Sequence, residues 1–220
     1  MFGRRKNQTP EQETPGTQEF DPASLGPRTS GPWDSSERDP DAPGYVDLGS
    51  LRIKGRDGVG LQLPQENGAL SSVLVVLEGA NSAMELRIFA ASRSGGEWGD
   101  VLQDLKREVE RREGEWKETD GPFGDELRFR VQVQTQDGRT GTQDSRILAV
   151  EGPRWLLRAT LLGAAAGDET AAEPLLEILR DVIVVRGDEP RMVREPLPLQ
   201  LPPGAVPQDQ QPPSGTDAGS

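Results

Sequence analysis

Cysteine and histidine are both absent from this sequence of 220 residues, and tyrosine occurs once, at Tyr45. Without cysteine there is no disulfide and no thiolate chemistry, and no sign of an oxidising compartment. Without histidine the chain lacks the usual general base at neutral pH and the commonest transition-metal ligand. Serine–histidine triads, cysteine–histidine dyads and zinc sites therefore fail together. The sequence offers no catalytic residues, no metal ligands and no cofactor motif. Long apolar runs are missing too: Met1-Phe2-Gly3-Arg4-Arg5-Lys6 has the charge of a signal peptide but continues into Asn7, Gln8 and Thr9, and no later segment is long enough to cross a bilayer. Cytoplasmic residence is the expectation, with at most weak adhesion of Arg4, Arg5 and Lys6 to an anionic membrane surface.

Proline is scarce in the middle of the chain and dense at its ends, where residues 1–44 and 189–220 hold fifteen of the nineteen. Because proline removes a backbone donor and interrupts helices and strands, the expectation is a disordered tail over 1–44, one folded domain over 45–188, and an extended to disordered tail over 189–220. The formal net charge is −12, and none of the three segments is basic overall. A protein that holds nucleic acid through phosphates needs a positive surface, so that class is set aside, and a protein partner is the expected one. Basic residues are almost all arginine, with lysine only at Lys6, Lys54, Lys106 and Lys117, a bias typical of G+C-rich coding.

Within the domain, alternation predicts strands through Leu51 and Ile53, through Val59, Leu61 and Leu63, and through Met84, Leu86 and Ile88. Val73–Leu77 is an unbroken apolar run that fits a central strand covered on both faces. Ser94 and Glu97 have capping-box spacing ahead of the stripe Trp98, Val101, Leu102, Leu105 and Val109, which predicts a helix. Leu127, Phe129, Val131 and Val133 alternate ahead of Asp137-Gly138, the strongest hairpin signal, and strands through Ile147–Val150 and Trp155–Leu161 follow. A second helix is predicted over about 171–180, capped by Thr170 and Glu173, and then a buried strand at Val182–Val185. The fold class is α+β: a mainly antiparallel twisted sheet with two helices packed on it. Trp98, Trp116 and Trp155 are expected in the core.

Two glycine-rich stretches, Gly55–Gly60 and Ser94-Gly95-Gly96, lack the order or the lysine that a phosphate loop needs. The carboxylates of the first helix, from Asp100 to Glu113, fit a solvated polar face. The constellation that stands out is arginine. If the apolar partners in each strand point at one core, then Arg52, Arg87, Arg128, Arg130, Arg154 and Arg158 share the opposite face of the sheet. Such a face is either an ordinary ladder paired with Glu85, Glu126 and other acids, or a groove for an anionic ligand or acidic partner, or a surface covered by a tail. Arg87, Arg128, Arg130, Arg154 and Arg158 are the candidate ligand-binding residues. The run Pro196-Leu197-Pro198-Leu199 is suited to docking in extended form.

Together, Met1–Lys6, the run Gly152-Pro153-Arg154-Trp155-Leu156-Leu157-Arg158, the segment Val182–Gly187 and the Pro-Leu-Pro-Leu tail resemble an actinobacterial family of domains of unknown function, family 3710, over most of the chain from Tyr45 to Pro203. The resemblance carries no catalytic residues to transfer, and it implies a nucleotide or genome-maintenance setting. A more distant likeness is to the PsbP-like α/β sandwich. The functional expectation is a non-catalytic binding or adaptor module. The alternative is an enzyme or sensor for a phosphorylated small molecule such as a nucleotide, bound on the arginine face.

Overall fold

The computed structural model describes residues 29–134 and 138–202. The terminal stretches 1–28 and 203–220, with Arg4, Arg5 and Lys6, lie outside the described residues, as does Asp137 of the expected hairpin turn. In chain order the strands are β1 (Trp33–Asp34), β2 (Tyr45–Asp47), β3 (Leu51–Lys54), β4 (Val59–Gln62), β5 (Gln65–Glu66), β6 (Ala69–Leu70), β7 (Val73–Leu77), β8 (Ser82–Ala90), β9 (Glu115–Gly121), β10 (Gly124–Gln134), β11 (Thr140–Gly152), β12 (Trp155–Gly163) and β13 (Ile183–Val184). Helix α1 (Glu97–Arg111) follows β8 and helix α2 (Glu169–Asp181) follows β12.

Seven strands form one antiparallel sheet in the order β4-β7-β8-β12-β11-β10-β9. A smaller sheet has the order β1-β13-β3-β2, in which only β1 and β13 run parallel. The chain is therefore α+β, as its periodicities indicate. Asn67 and Gly68 both adopt positive φ, 54° and 79°, which is the conformation a two-residue hairpin demands, and they join β5 to β6.

Alternation in β8 buries Met84, Leu86 and Ile88 on one face, against Leu161, Ala159 and Leu157 of β12. This face packs on Leu175, Leu176 and Leu179 of α2 and on Leu51 and Ile53 of the small sheet, which together make the main core. On the opposite face α1 rests on β9, β10 and β11, and Trp98 and Val101 meet Ala149 and Leu156. The middle of β11 and the first residues of β12 are thus covered on both sides, so Ile147-Leu148-Ala149 and Leu156-Leu157 are continuous buried runs. The expected central strand is elsewhere: β7 is second from the sheet edge, with Val73 and Val75 buried and Leu74 and Val76 half-buried.

Both helices start by means other than those expected. The N-cap of α1 is Gly96, not Ser94, and no capping box forms. Instead Glu151 at the end of β11 accepts hydrogen bonds from the N–H groups of Gly96 (2.9 Å) and Trp98 (2.8 Å), placing a carboxylate at the positive end of the helix. Helix α2 is capped by Asp168, which accepts from the Thr170 and Ala171 N–H groups. Trp116 is 39% exposed rather than buried, and its indole N–H donates to Glu110.

The fold also reaches past the expected borders at Tyr45 and Asp188. Trp33 N–H donates to Val182 O and Ser35 N–H to Val184 O, which inserts β1 beside β13. Asp34 is buried and accepts the Trp155 indole N–H at 2.7 Å. Gly152 makes room for that indole, because a Cβ there would lie 2.1 Å from the Trp155 ring. Replacing Asp34 by alanine removes the buried carboxylate that accepts the Trp155 indole N–H, and equilibrium urea unfolding is expected to show a loss of about 2 kcal/mol.

At the other end, residues 194–200 form a strap. Where β7 stops pairing with β8 at Leu86, the strap takes over: Ala90 N–H donates to Glu195 O, and Leu197 N–H donates to Ile88 O. It then crosses to the small sheet, where Gln200 N–H donates to Leu48 O and Ser50 N–H to Pro198 O. Leu197, 3% exposed, is buried in the main core.

Candidate functional site

The single arginine face expected from alternation does not exist. Cross-strand pairing runs Arg128↔Arg146, Arg146↔Leu161 and Leu161↔Met84, so Arg128 is on the same face of the large sheet as the main core. Arg130, two residues on, shares it. Arg87 and Arg158 pair directly with each other on the opposite face, the one that carries α1. Arg154 is in the β11–β12 turn with φ 63°, and Arg52 is in the small sheet. The physical reason is that the sheet has a layer on each side: β8 turns its apolar residues toward α2, whereas β10 turns Leu127 and Val131 toward α1. Alternation within a strand cannot say which layer is being faced.

Arg128 belongs to a closed ionic network. Glu126 and Arg146 are each 1% exposed, and Arg146 Nε donates to Glu126 Oε2 at 3.0 Å. Arg146 Nη1 donates to Glu169 Oε2 at 2.7 Å. Arg128 donates to Glu126 Oε1 through Nε (3.1 Å) and Nη2 (3.0 Å) and also to Glu169, while Thr119 Oγ1 donates to Glu126 Oε1 at 3.2 Å. The hydrogen bond from Arg128, followed by that from Arg146, holds the Glu169 carboxyl below its ordinary range against the opposing effect of burial. Arg130 makes a two-pronged pair with Asp144, at 2.6 and 2.8 Å. These two arginines are neutralised in place.

Arg87 and Arg158 differ. Arg87 donates to Glu85 at 3.1 Å on its own strand and to Glu66 of the β5–β6 hairpin at 3.4 Å. Arg158 makes no hydrogen bond or ion pair with the described residues, and its Nε is buried without a partner. Its guanidinium lies 5.5 Å from the centre of the Phe89 ring. Burial first, then the neighbouring charge of Arg87, pushes the Arg158 pKa below its ordinary value, with Glu85 opposing. Like charges directly opposite across a ladder repel, and here one of the two has no counter-charge of its own.

Around this pair the sheet is open. Leu74, Val76, Phe89 and Leu162 share the face and are half-buried, with Thr160 and Glu85 between them. The site is a partly apolar surface with two guanidinium groups side by side, next to the flank of α1. It can receive an anionic group and the apolar residues beside it. Of the sequence candidates, Arg87 and Arg158 are brought side by side. The apolar floor is not legible in the sequence, because Leu74 and Val76 sit in an unbroken apolar run that fits a strand buried on both faces, and Arg146 is hidden because it interrupts alternation at the edge of an apolar run.

Among the described residues no cluster of carboxylates could hold a metal ion, and no helix is long and apolar enough to cross a membrane. Among the described residues the architecture is α+β, with two larger sheets, the β5–β6 hairpin and two α-helices, and an open arginine pair on the largest sheet. Residues 31–208 match the family described as "Protein of unknown function (DUF3710)", and the chain belongs to that family. No curated protein matches the sequence. A solved structure from Bacteroides thetaiotaomicron, 14% identical, aligns over 68% of this chain and 52% of its own length with a TM-score of 0.40. The aligned part spans about half the length of that protein.

Proposed function

We propose that the protein is a non-catalytic binding module that receives an acidic partner segment on the open half of its large sheet. The observation that carries this reading is Arg158, a guanidinium with a buried, unpartnered Nε set directly opposite Arg87. Carboxylates of a partner would supply the missing counter-charge, and apolar residues between them would cover Leu74, Val76, Phe89 and Leu162. An open face suits an extended protein segment better than a small molecule, which binds in concave sites that enclose most of its surface. The absence of histidine and cysteine supports the non-catalytic part of the reading. Its arginine-heavy basic set and lack of cysteine fit a cytoplasmic setting in an actinobacterium.

Synthetic peptides alternating glutamate with leucine or phenylalanine are a direct probe, read by fluorescence anisotropy with the full chain. The acidic peptide is expected to bind and its lysine counterpart to fail. Arg158→Ala is expected to weaken binding about tenfold, the effect of losing one charge-assisted pair. Arg130→Ala, on the other face and bound to Asp144, is expected to leave it unchanged. Equal binding of both peptides, or indifference to Arg158→Ala, would overturn the reading.

A further inference from the structure

A cavity of about 390 Å³ lies where the small sheet meets the strap, away from the Arg87–Arg158 face. Ser50, Arg52, Arg186, Arg191 and Gln200 line it, together with the carboxylates of Asp47 and Glu189. Two of the sequence runs that give the chain its family resemblance line the cavity, and a third holds one of its arginines. Val182–Gly187 contributes Arg186, and the Pro-Leu-Pro-Leu run contributes Pro198. The Gly152–Arg158 run contributes the carbonyl of Arg154, to which Arg186 Nε donates at 3.2 Å.

The charges around the cavity are not all matched. Arg52 pairs with Asp47 at 2.6 Å, and Arg191 pairs with Glu189 and Glu195, each at 2.9 Å. Among the described residues Arg186 has only carbonyl acceptors: Arg154 O through Nε, and Gly187 O (3.1 Å) and Glu189 O (2.8 Å) through Nη1. Its Nη2 group makes no hydrogen bond with the described residues, and Arg154 has no ion pair among them. Burial, then the charges of Arg154 and Arg191, push the Arg186 pKa below its ordinary value, while Asp188 and Glu195 oppose.

Ser50 supplies a second donor. It is 4% exposed, and its backbone is pinned on both sides, by Ser50 N–H to Pro198 O (3.2 Å) and Val185 N–H to Ser50 O (2.9 Å). Its hydroxyl nonetheless makes no hydrogen bond among the described residues. A guanidinium crowded by two others is costly, and the Ser50 hydroxyl beside it has a proton to donate. One anion in the cavity would accept from both.

We propose that this cavity is a binding site for a small molecule bearing a phosphoryl group. The Arg186 Nη2 group and the Ser50 hydroxyl donate to its oxygens, and Arg52 and Arg191 add positive charge from the walls. Phosphoryl suits the site because a tetrahedral anion accepts from donors in several directions, and the Gln200 carboxamide adds another donor to the lining. The volume exceeds that of an inorganic phosphate and leaves room for an organic remainder.

The test is calorimetric titration of the full chain with inorganic pyrophosphate, with sodium chloride at matched ionic strength as the control. Wild type and Arg158→Ala are expected to bind alike. Arg186→Ala is expected to weaken binding about tenfold or more, and Ser50→Ala by a smaller factor in the same direction. The inference is overturned if pyrophosphate binds no better than chloride, if Arg158→Ala abolishes binding, or if both cavity variants bind like wild type. Should Arg186→Ala fail to fold by circular dichroism, Ser50→Ala decides alone: unchanged affinity there overturns it.

Discussion

Ending the chain at Asp188 is expected to lower its unfolding free energy by about 3 kcal/mol relative to a chain ending at Pro202, the scale set by emptying one buried leucine site. Proline density in the sequence makes Asp188 look like a natural border, yet the strap beyond it supplies Leu197 to the main core. It also completes the edge of β8 through Ala90 and Ile88, and Arg194 reaches Asp100 and Asp104 of α1, each at 3.2 Å. Removing it exposes Leu48 and Ile88 as well as the unpaired edge, so the loss should shift the melting temperature by about 10 °C for a protein of this size. Leu197→Ala in the full chain is expected to reproduce most of the effect. Equal urea midpoints for the two truncations would show that the strap contributes little.

Arg146→Met is expected to cost about 3–5 kcal/mol, because it leaves Glu126 buried with its counter-charge reduced. The double variant Glu126→Leu/Arg146→Met should cost less than Arg146→Met alone, since it removes the buried charge along with its partner and leaves Arg128 paired to Glu169. The same network has a pH signature. The folded-state pKa of Glu169 is depressed, so its contribution to stability is present above the unfolded value and is lost as pH falls through the folded one. Acid unfolding of Glu169→Gln should therefore show a shallower dependence than wild type below about pH 4. Parallel acid limbs would remove Glu169 from the network's energetics.

Local signals were legible in the sequence wherever a local cause sufficed. Alternation found β3, β4, β8, β10 and β12, and the stripe from Trp98 to Val109 found α1. Causes distant along the chain were not legible. The carboxylate at the start of α1 comes from Glu151, more than fifty residues on, while Ser94 sits at a spacing that looks sufficient. Strand β1 has only two residues beside prolines, and it holds because Trp155 reaches Asp34 across the core. The arginines were separated for the same kind of reason. Arg128 and Arg158 both alternate with apolar residues, but the layer against those residues is α1 in one case and α2 with the small sheet in the other.

The stability of Arg158→Met separates a structural arginine from one held ready for a partner. Arg158 bears a buried Nε without an acceptor and stands opposite Arg87. An unbranched apolar side chain of similar length removes the unsatisfied group and the repulsion while still covering Phe89. Urea unfolding should then show Arg158→Met to be as stable as wild type or more stable by about 1 kcal/mol, with acidic-peptide binding lost, the pattern of a residue kept for function at a cost in stability. A loss of stability of about 2 kcal/mol, with peptide binding unchanged, would make Arg158 part of the scaffold and leave the open half of the sheet without its anchor.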